Sequence, residues 1–148
     1  MKRFAAALIA VGMALSIVPV ASAAEYAELT NVRTGRHATF DRVVLDLTGG
    51  QPQDSVSAIA QPENCGSGKP ITAPGAAFLE VRLTPADAHG YTGSRNFTTP
   101  DLTNVKSVVF TCDFEADLSI AIGVGRANPS YRAYFLTSPL RYVVDIDH

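Results

Sequence analysis

The sequence predicts an all-β protein, a β-sandwich of two mainly antiparallel sheets with one disulfide, and three observations lead there. Apolar and polar residues alternate with period two in several segments, turn residues separate those segments, and helical periodicity is hard to find beyond the first residues. Strands with one apolar and one polar face must bring their apolar sides together. Two stacked sheets do this most simply, and an open barrel is the second arrangement.

The chain opens on Lys2 and Arg3, continues through an apolar stretch from Phe4 to Val20, and reaches the small residues Ala21, Ser22 and Ala23. This is the pattern of a secretory signal over residues 1–23, cut after Ala23, which leaves one domain over residues 24–148. The apolar run is at the short limit for spanning a bilayer, and no cysteine near the cut could carry a lipid. No stable membrane anchor is therefore expected after processing, and the expected location is extracellular or wall-associated. Removal of the leader takes two basic residues from a chain of formal charge −2. A mildly acidic domain with scattered arginines lacks the electrostatic footprint of a nucleic-acid binder.

Phe40 to Leu47 (FDRVVLDL) reads as a strand that ends at Thr48-Gly49-Gly50, where glycine permits a turn. Gln51 to Gln61 reads as a short edge strand, with Pro52 near its entry and Pro62 at its exit. Glu63 to Gly75, rich in Gly, Pro and Ser, is a loop that carries Cys65. In Phe78 to Thr84 (FLEVRLT), Leu79, Val81 and Leu83 share one face while Glu80 and Arg82 take the other. Pro85 to Leu102 follows as a long connection expected to have no secondary structure of its own, and such loops are often functional.

From Val108 to Ile122 every second residue is apolar, and Thr111, Asp113, Glu115, Asp117 and Ser119 form the other face. The run predicts two strands turning near Asp113 to Asp117, or one strand with a marked bend. Its alternation puts Cys112 on the apolar side. Asn128-Pro129-Ser130 marks a turn, Tyr131 to Thr137 is a further strand, and Leu140 to Asp147 (LRYVVDID) closes the chain. Cys65 and Cys112 are the two cysteines, and in an oxidising compartment they are expected to form a disulfide.

FDRVVLDL at Phe40 to Leu47 and PLRYVVDI at Pro139 to Ile146 echo each other. Arg42, Val44 and Asp46 project to one side of a strand, as do Arg141, Val143 and Asp145. Convergence of two sandwich strands accounts for the echo more simply than duplication does. Each Arg is expected to pair with an acid on a neighbouring strand, which makes these four residues structural ion-pair candidates.

FDRVVLDLTGG, FLEVRLTPADAHG, TCDFEADLSIAIGVG and SPLRYVVDIDH, in this order, resemble the AMIN-like domain of secreted actinobacterial proteins over nearly all of residues 24–148. The closing P-x-R-x-V-V-D-[IV] element is also similar to the strand that marks the wider AMIN group of envelope amidases and secretin-type proteins. The resemblance implies a β-sandwich and an envelope location. For true AMIN domains it implies targeting or peptidoglycan binding without catalysis. Related sequences often read DFEG where this chain has Asp113-Phe114-Glu115-Ala116, a departure that counts against a glycine-dependent turn there.

Several constellations have residue types that could carry chemistry. Asp113, Glu115 and Asp117 put three carboxylates on one expected strand face, where calcium binding or a glycosidase acid pair would need partners from other segments. A solvated face is the preferred reading. His37, His89 and His148 have no metal-ligand spacing, no G-x-S-x-G elbow or phosphate loop is present, and no metal or other cofactor is expected. Asp145, Asp147 and His148 lie at an end expected to fray. No catalytic residues are assigned. Tyr91, Arg95, Asn96 and Phe97, in the long connection, combine aromatic surface with amide and guanidinium donors and are the candidate binding residues; the competing use of the two aromatics is to tuck the loop onto the core. Expected partners are peptidoglycan or a wall polysaccharide, with an exported protein as the second class.

Overall fold

The computed structural model describes residues 25–148; the expected leader over residues 1–23 lies outside the described residues. The described residues form ten strands: β1 (Ala27–Arg36), β2 (Phe40–Gly49), β3 (Gln53–Ile59), β4 (Ala77–Thr84), β5 (Ala86–Asp87), β6 (Asn96–Thr98), β7 (Val105–Phe114), β8 (Asp117–Val124), β9 (Tyr131–Leu136) and β10 (Arg141–Asp147). No helix occurs among the described residues. One sheet has the order β5-β1-β2-β10-β9 and the other β3-β4-β8-β7-β6. Pairing is antiparallel except between β1 and β5, so the sandwich of two mainly antiparallel sheets is observed.

The core lies between the sheets. Val43, Leu45 and Leu47 of β2 and Tyr142, Val144 and Ile146 of β10 meet Leu79, Val81 and Leu83 of β4 and Leu118, Ile120 and Ile122 of β8. The period-two alternation in these strands is the pleat itself, with the apolar member of each pair turned inward. Tyr142 is completely buried, and its hydroxyl donates to Asp54 Oδ2 at 2.7 Å. Burial, and next that hydrogen bond, push its phenol well above the usual range.

Four expectations need correction. First, β1 was not foreseen, because its alternation changes phase: Ala27 and Leu29 face inward, an irregularity falls between Leu29 and Asn31, and Val32 then packs against the core. A bulge of one residue moves every later side chain to the other face. Second, the Pro85–Leu102 connection does contain strands, β5 and β6, which attach it to one edge of each sheet.

Third, a bulge between Phe110 and Cys112 inverts the predicted faces of β7. Phe110 pairs with Ile120 on the core side, whereas Cys112 pairs with Ser119 on the outer side, Asp113 with Leu118 and Phe114 with Asp117. Cys112 is therefore not on the apolar face, and its disulfide to Cys65 fastens the residue 60–76 loop over the outside of the sheet. That loop lies close. A Cβ on Gly123 would come 2.2 Å from the Pro74 carbonyl oxygen, and the Ser107 hydroxyl donates to the same oxygen at 2.6 Å.

The β7–β8 hairpin turns where expected, between Asp113 and Asp117, and does so without glycine. Glu115 and Ala116 adopt φ of 49° and 63°, the positive values that a two-residue type I′ turn requires. Fourth, the C-terminus, expected to fray, is held: the His148 amide donates to Thr39 O, and its ring lies 3.1 Å from Asp41 Oδ1. Asp41 is fully buried and accepts from the amides of Asn104 and Val105 at 2.5 and 3.0 Å. Burial alone would raise its carboxyl, but these amides and His148 outweigh that and hold it below the usual carboxylate range.

Candidate functional site

The four candidate binding residues are near one another but do not form an open binding loop. Tyr91 stacks on Phe110 with ring centroids 5.2 Å apart, and its hydroxyl donates to the Ser94 carbonyl. Phe97 is half-buried against the core where β6 pairs with β7. Both aromatics therefore tie the connection down. Arg95 spans the junction, donating from Nη1 to Asp113 Oδ2 at 2.8 Å and from Nη2 to the Ala88 carbonyl at 2.7 Å, with its guanidinium 5.3 Å from the Phe110 ring centre. Asn96 is exposed.

The bulge in β7 explains why Asp113 is available to Arg95. Turned from the outer face to the core side of the edge, its carboxylate also accepts the Ala88 amide at 3.0 Å. Asp113, Glu115 and Asp117 consequently do not share a face. Glu115 stands exposed at the hairpin tip, and Asp117 pairs with Arg82 on the outer side. Phe114, which alternation alone would have buried, is 65% exposed beside the disulfide.

These displacements frame a groove of about 530 Å³. Asn64, Gly66 and Ile71 of the disulfide loop form one wall, Arg95 and Asn96 another, and Phe114 stands at its rim beside Cys112. Asn64 Oδ1 accepts from the Gly66 and Ser67 amides at 3.2 and 3.0 Å, which fixes the side chain and directs its NH2 group elsewhere. Only Arg95 and Asn96 were recognised from sequence. Phe114 was misplaced by one bulge, and nothing local in the sequence announces the approach of Asn64.

The echoed tripeptide positions form a second concentration of polar groups, on the outer face of the other sheet. β2 and β10 are adjacent and antiparallel, so Arg42 lies opposite Asp145, Val44 opposite Val143 and Asp46 opposite Arg141. The two halves are used differently. Arg42 donates to Asp145 from Nε at 2.7 Å and Nη2 at 2.9 Å, and Tyr134 of β9 adds a hydroxyl at 3.1 Å. On the other side Arg33 of β1 donates to Asp46 at 2.7 and 2.6 Å, while Arg141 gives its Nε to the Pro139 carbonyl. Arg42, Asp46 and Asp145 sit in ion pairs, whereas Arg141, expected to pair with an acid on a neighbouring strand, bonds the Pro139 carbonyl instead, and Arg33 was not named from sequence.

The Arg33 hydrogen bond, working against burial, holds the Asp46 carboxyl below its ordinary value. Burial favours the neutral form of Asp145, but the bonds from Arg42 and Tyr134 prevail and its carboxyl is likewise lowered. The histidines are dispersed: His37 stacks on Phe40, His89 is 3.5 Å from Asp113, and His148 meets Asp41. Among the described residues no three His, Cys, Asp or Glu side chains are grouped to hold a metal ion.

The chain belongs to the AMIN-like domain family, whose model matches residues 27–148, from the first residue of β1 to the C-terminal His148. No curated protein and no solved structure matches it. The family is linked to cell-envelope proteins.

Proposed function

We propose that this protein is secreted and acts as a non-catalytic cell-envelope binding module that takes a wall glycan, such as the sugar strand of peptidoglycan, into the groove beside Phe114. The observation that carries the reading is Phe114 itself: an aromatic ring 65% exposed on a constrained hairpin, next to the amides of Asn64 and Asn96. Stacking a flat ring on the C–H face of a pyranose buries apolar surface at small entropic cost, and amides at the rim can direct hydroxyl groups. An envelope-linked family and a disulfide suited to an oxidising compartment support the location. The division of Asp113, Glu115 and Asp117 among three environments favours binding over acid-pair hydrolysis.

Sedimentation with purified cell wall at low salt tests the reading. The wild type is expected to be retained and Phe114→Ala to lose at least tenfold of its affinity with its melting temperature unchanged, since the ring contributes little to the core. No retention of the wild type, or equal retention of the variant, would overturn it. A photo-reactive group at Asn96 separates glycan from an exported protein partner by the mass of what is captured.

A further inference from the structure

The outer face of the β5-β1-β2-β10-β9 sheet is built around guanidinium groups in a way that ion pairing alone does not use up. A groove of about 260 Å³ there is bordered by Arg33, Arg42 and Arg141, floored by Val44, Val143 and Leu136, and closed at one end by His37. Arg33 and Arg42 each hold an aspartate through Nε and Nη2, and Arg42 Nη2 also donates to the Tyr134 hydroxyl at 2.9 Å, so each is fixed in direction while its Nη1 makes no hydrogen bond among the described residues. Arg141 has lost the partner that the symmetry of the two strands would give it. Arg33 occupies Asp46, and among the described residues only Nε of the Arg141 nitrogens is bonded, to a carbonyl.

Gly35 makes the space. It lies opposite Arg42 on the outer side, where a side chain would project over the groove, and a Cβ built there meets nothing within 4 Å. Its φ is not in the left-handed region, so the backbone itself does not demand glycine. The phase change in β1 creates this arrangement, because it turns Arg33 and Gly35 outward rather than toward the core.

We propose that this groove binds the carboxylate end of a small aliphatic ligand, specifically a peptide C-terminus with a small apolar side chain. Planar guanidinium forks match a carboxylate, and prior pairing with aspartate removes much of the entropic cost of ordering them. Three arginines against Asp46 and Asp145 leave one positive charge at the groove, suited to a single carboxylate rather than a doubly charged phosphate. Arg132 approaches Asp145 only at 3.8 Å and does not border the groove. Val143 and Val44, nearly covered although they face outward, keep water from the base of the groove, and the half-buried Leu136 offers an aliphatic substituent its apolar contact. The volume is just below the usual range of about 300–1,000 Å³ for small-ligand pockets, which fits the end of a chain rather than a sugar oligomer.

The site is on a different sheet from the Phe114 groove and stands independently of the glycan reading. The test is titration of the isotope-labelled protein, expressed from its full sequence, with N-acetyl-alanyl-alanine, its C-terminal amide and inorganic phosphate. The free acid is expected to give saturable shifts of the Val44 and Val143 methyl groups, and the amide and phosphate to bind at least tenfold more weakly. Gly35→Leu, which fills the gap without changing charge, and Arg141→Gln should each weaken the acid at least tenfold, with Phe114→Ala binding it normally. Failure of the acid to saturate, equal binding of the amide or of phosphate, or indifference to both groove variants overturns the proposal. Loss of wall retention in Phe114→Ala with peptide binding intact shows that the two sites are separate.

Discussion

Asp145 is a carboxylate with only 3% of its side chain exposed, kept ionised by bonds from Arg42 and Tyr134. Removing its main partner would leave a desolvated charge. Arg42→Met is therefore expected to cost about 2 kcal/mol in urea unfolding, the usual scale for a charged hydrogen-bonded group left unsatisfied. Asp41, Asp46 and Asp145 all have folded pKa values below the unfolded value of about 3.9. A depressed carboxylate stabilises the fold fully above the unfolded pKa, and that contribution disappears as pH falls through the folded value. The melting temperature should accordingly be flat near neutrality and drop below about pH 4, and Asp145→Asn, already weakened at neutral pH, should show a shallower acid decline.

At the scale of elements, bulges and turns decide which residues meet. Ala116 occupies the left-handed region at φ 63°, where a Cβ is unfavourable and glycine is not. Ala116→Gly is expected to raise stability by about 0.5–1 kcal/mol, measured by thermal unfolding. Gly123 behaves oppositely, because the loop backbone crosses directly above it; Gly123→Ala should lower the melting temperature and loosen the loop to proteolysis. The Cys65–Cys112 bridge joins positions 47 apart, and its loss in a Cys65→Ser, Cys112→Ser double variant should cost about 4 kcal/mol on loop-closure entropy. Strands that keep one phase throughout, such as Leu79 to Thr84 and Leu140 to Asp147, were legible because the core imposes period two on their inward side, even where, as at Val143 and Asp145, the outward side is covered too. β1 and the end of β7 were not, because an extra residue in the ladder leaves no mark of its own while reversing everything after it. Phe114 and Asp113 exchanged sides for that reason alone, and with them went the candidate acid face and the groove's aromatic rim.

For the molecule as a whole, alternation requires the apolar faces to be covered, most simply by two stacked sheets and otherwise by an open barrel, but it cannot say which strands become neighbours. The echo of Arg, Val and Asp was visible in sequence; its use depends on β2 and β10 lying side by side, with β1 on one flank and β9 on the other. The same assembly brings Asn64 from a distant loop to Asn96 and Phe114, which only the disulfide hinted at. What results is a rigid core with two differently equipped exteriors, and the groove beside Phe114 is the one proposed to take a glycan. Its most direct test is amide and aromatic chemical-shift mapping during titration with soluble wall-glycan fragments. Saturable shifts at Asn64, Asn96 and Phe114, abolished in Phe114→Ala, are the expected result; shifts confined to the β3 or β9 edges, or no saturable shift at all, would contradict it.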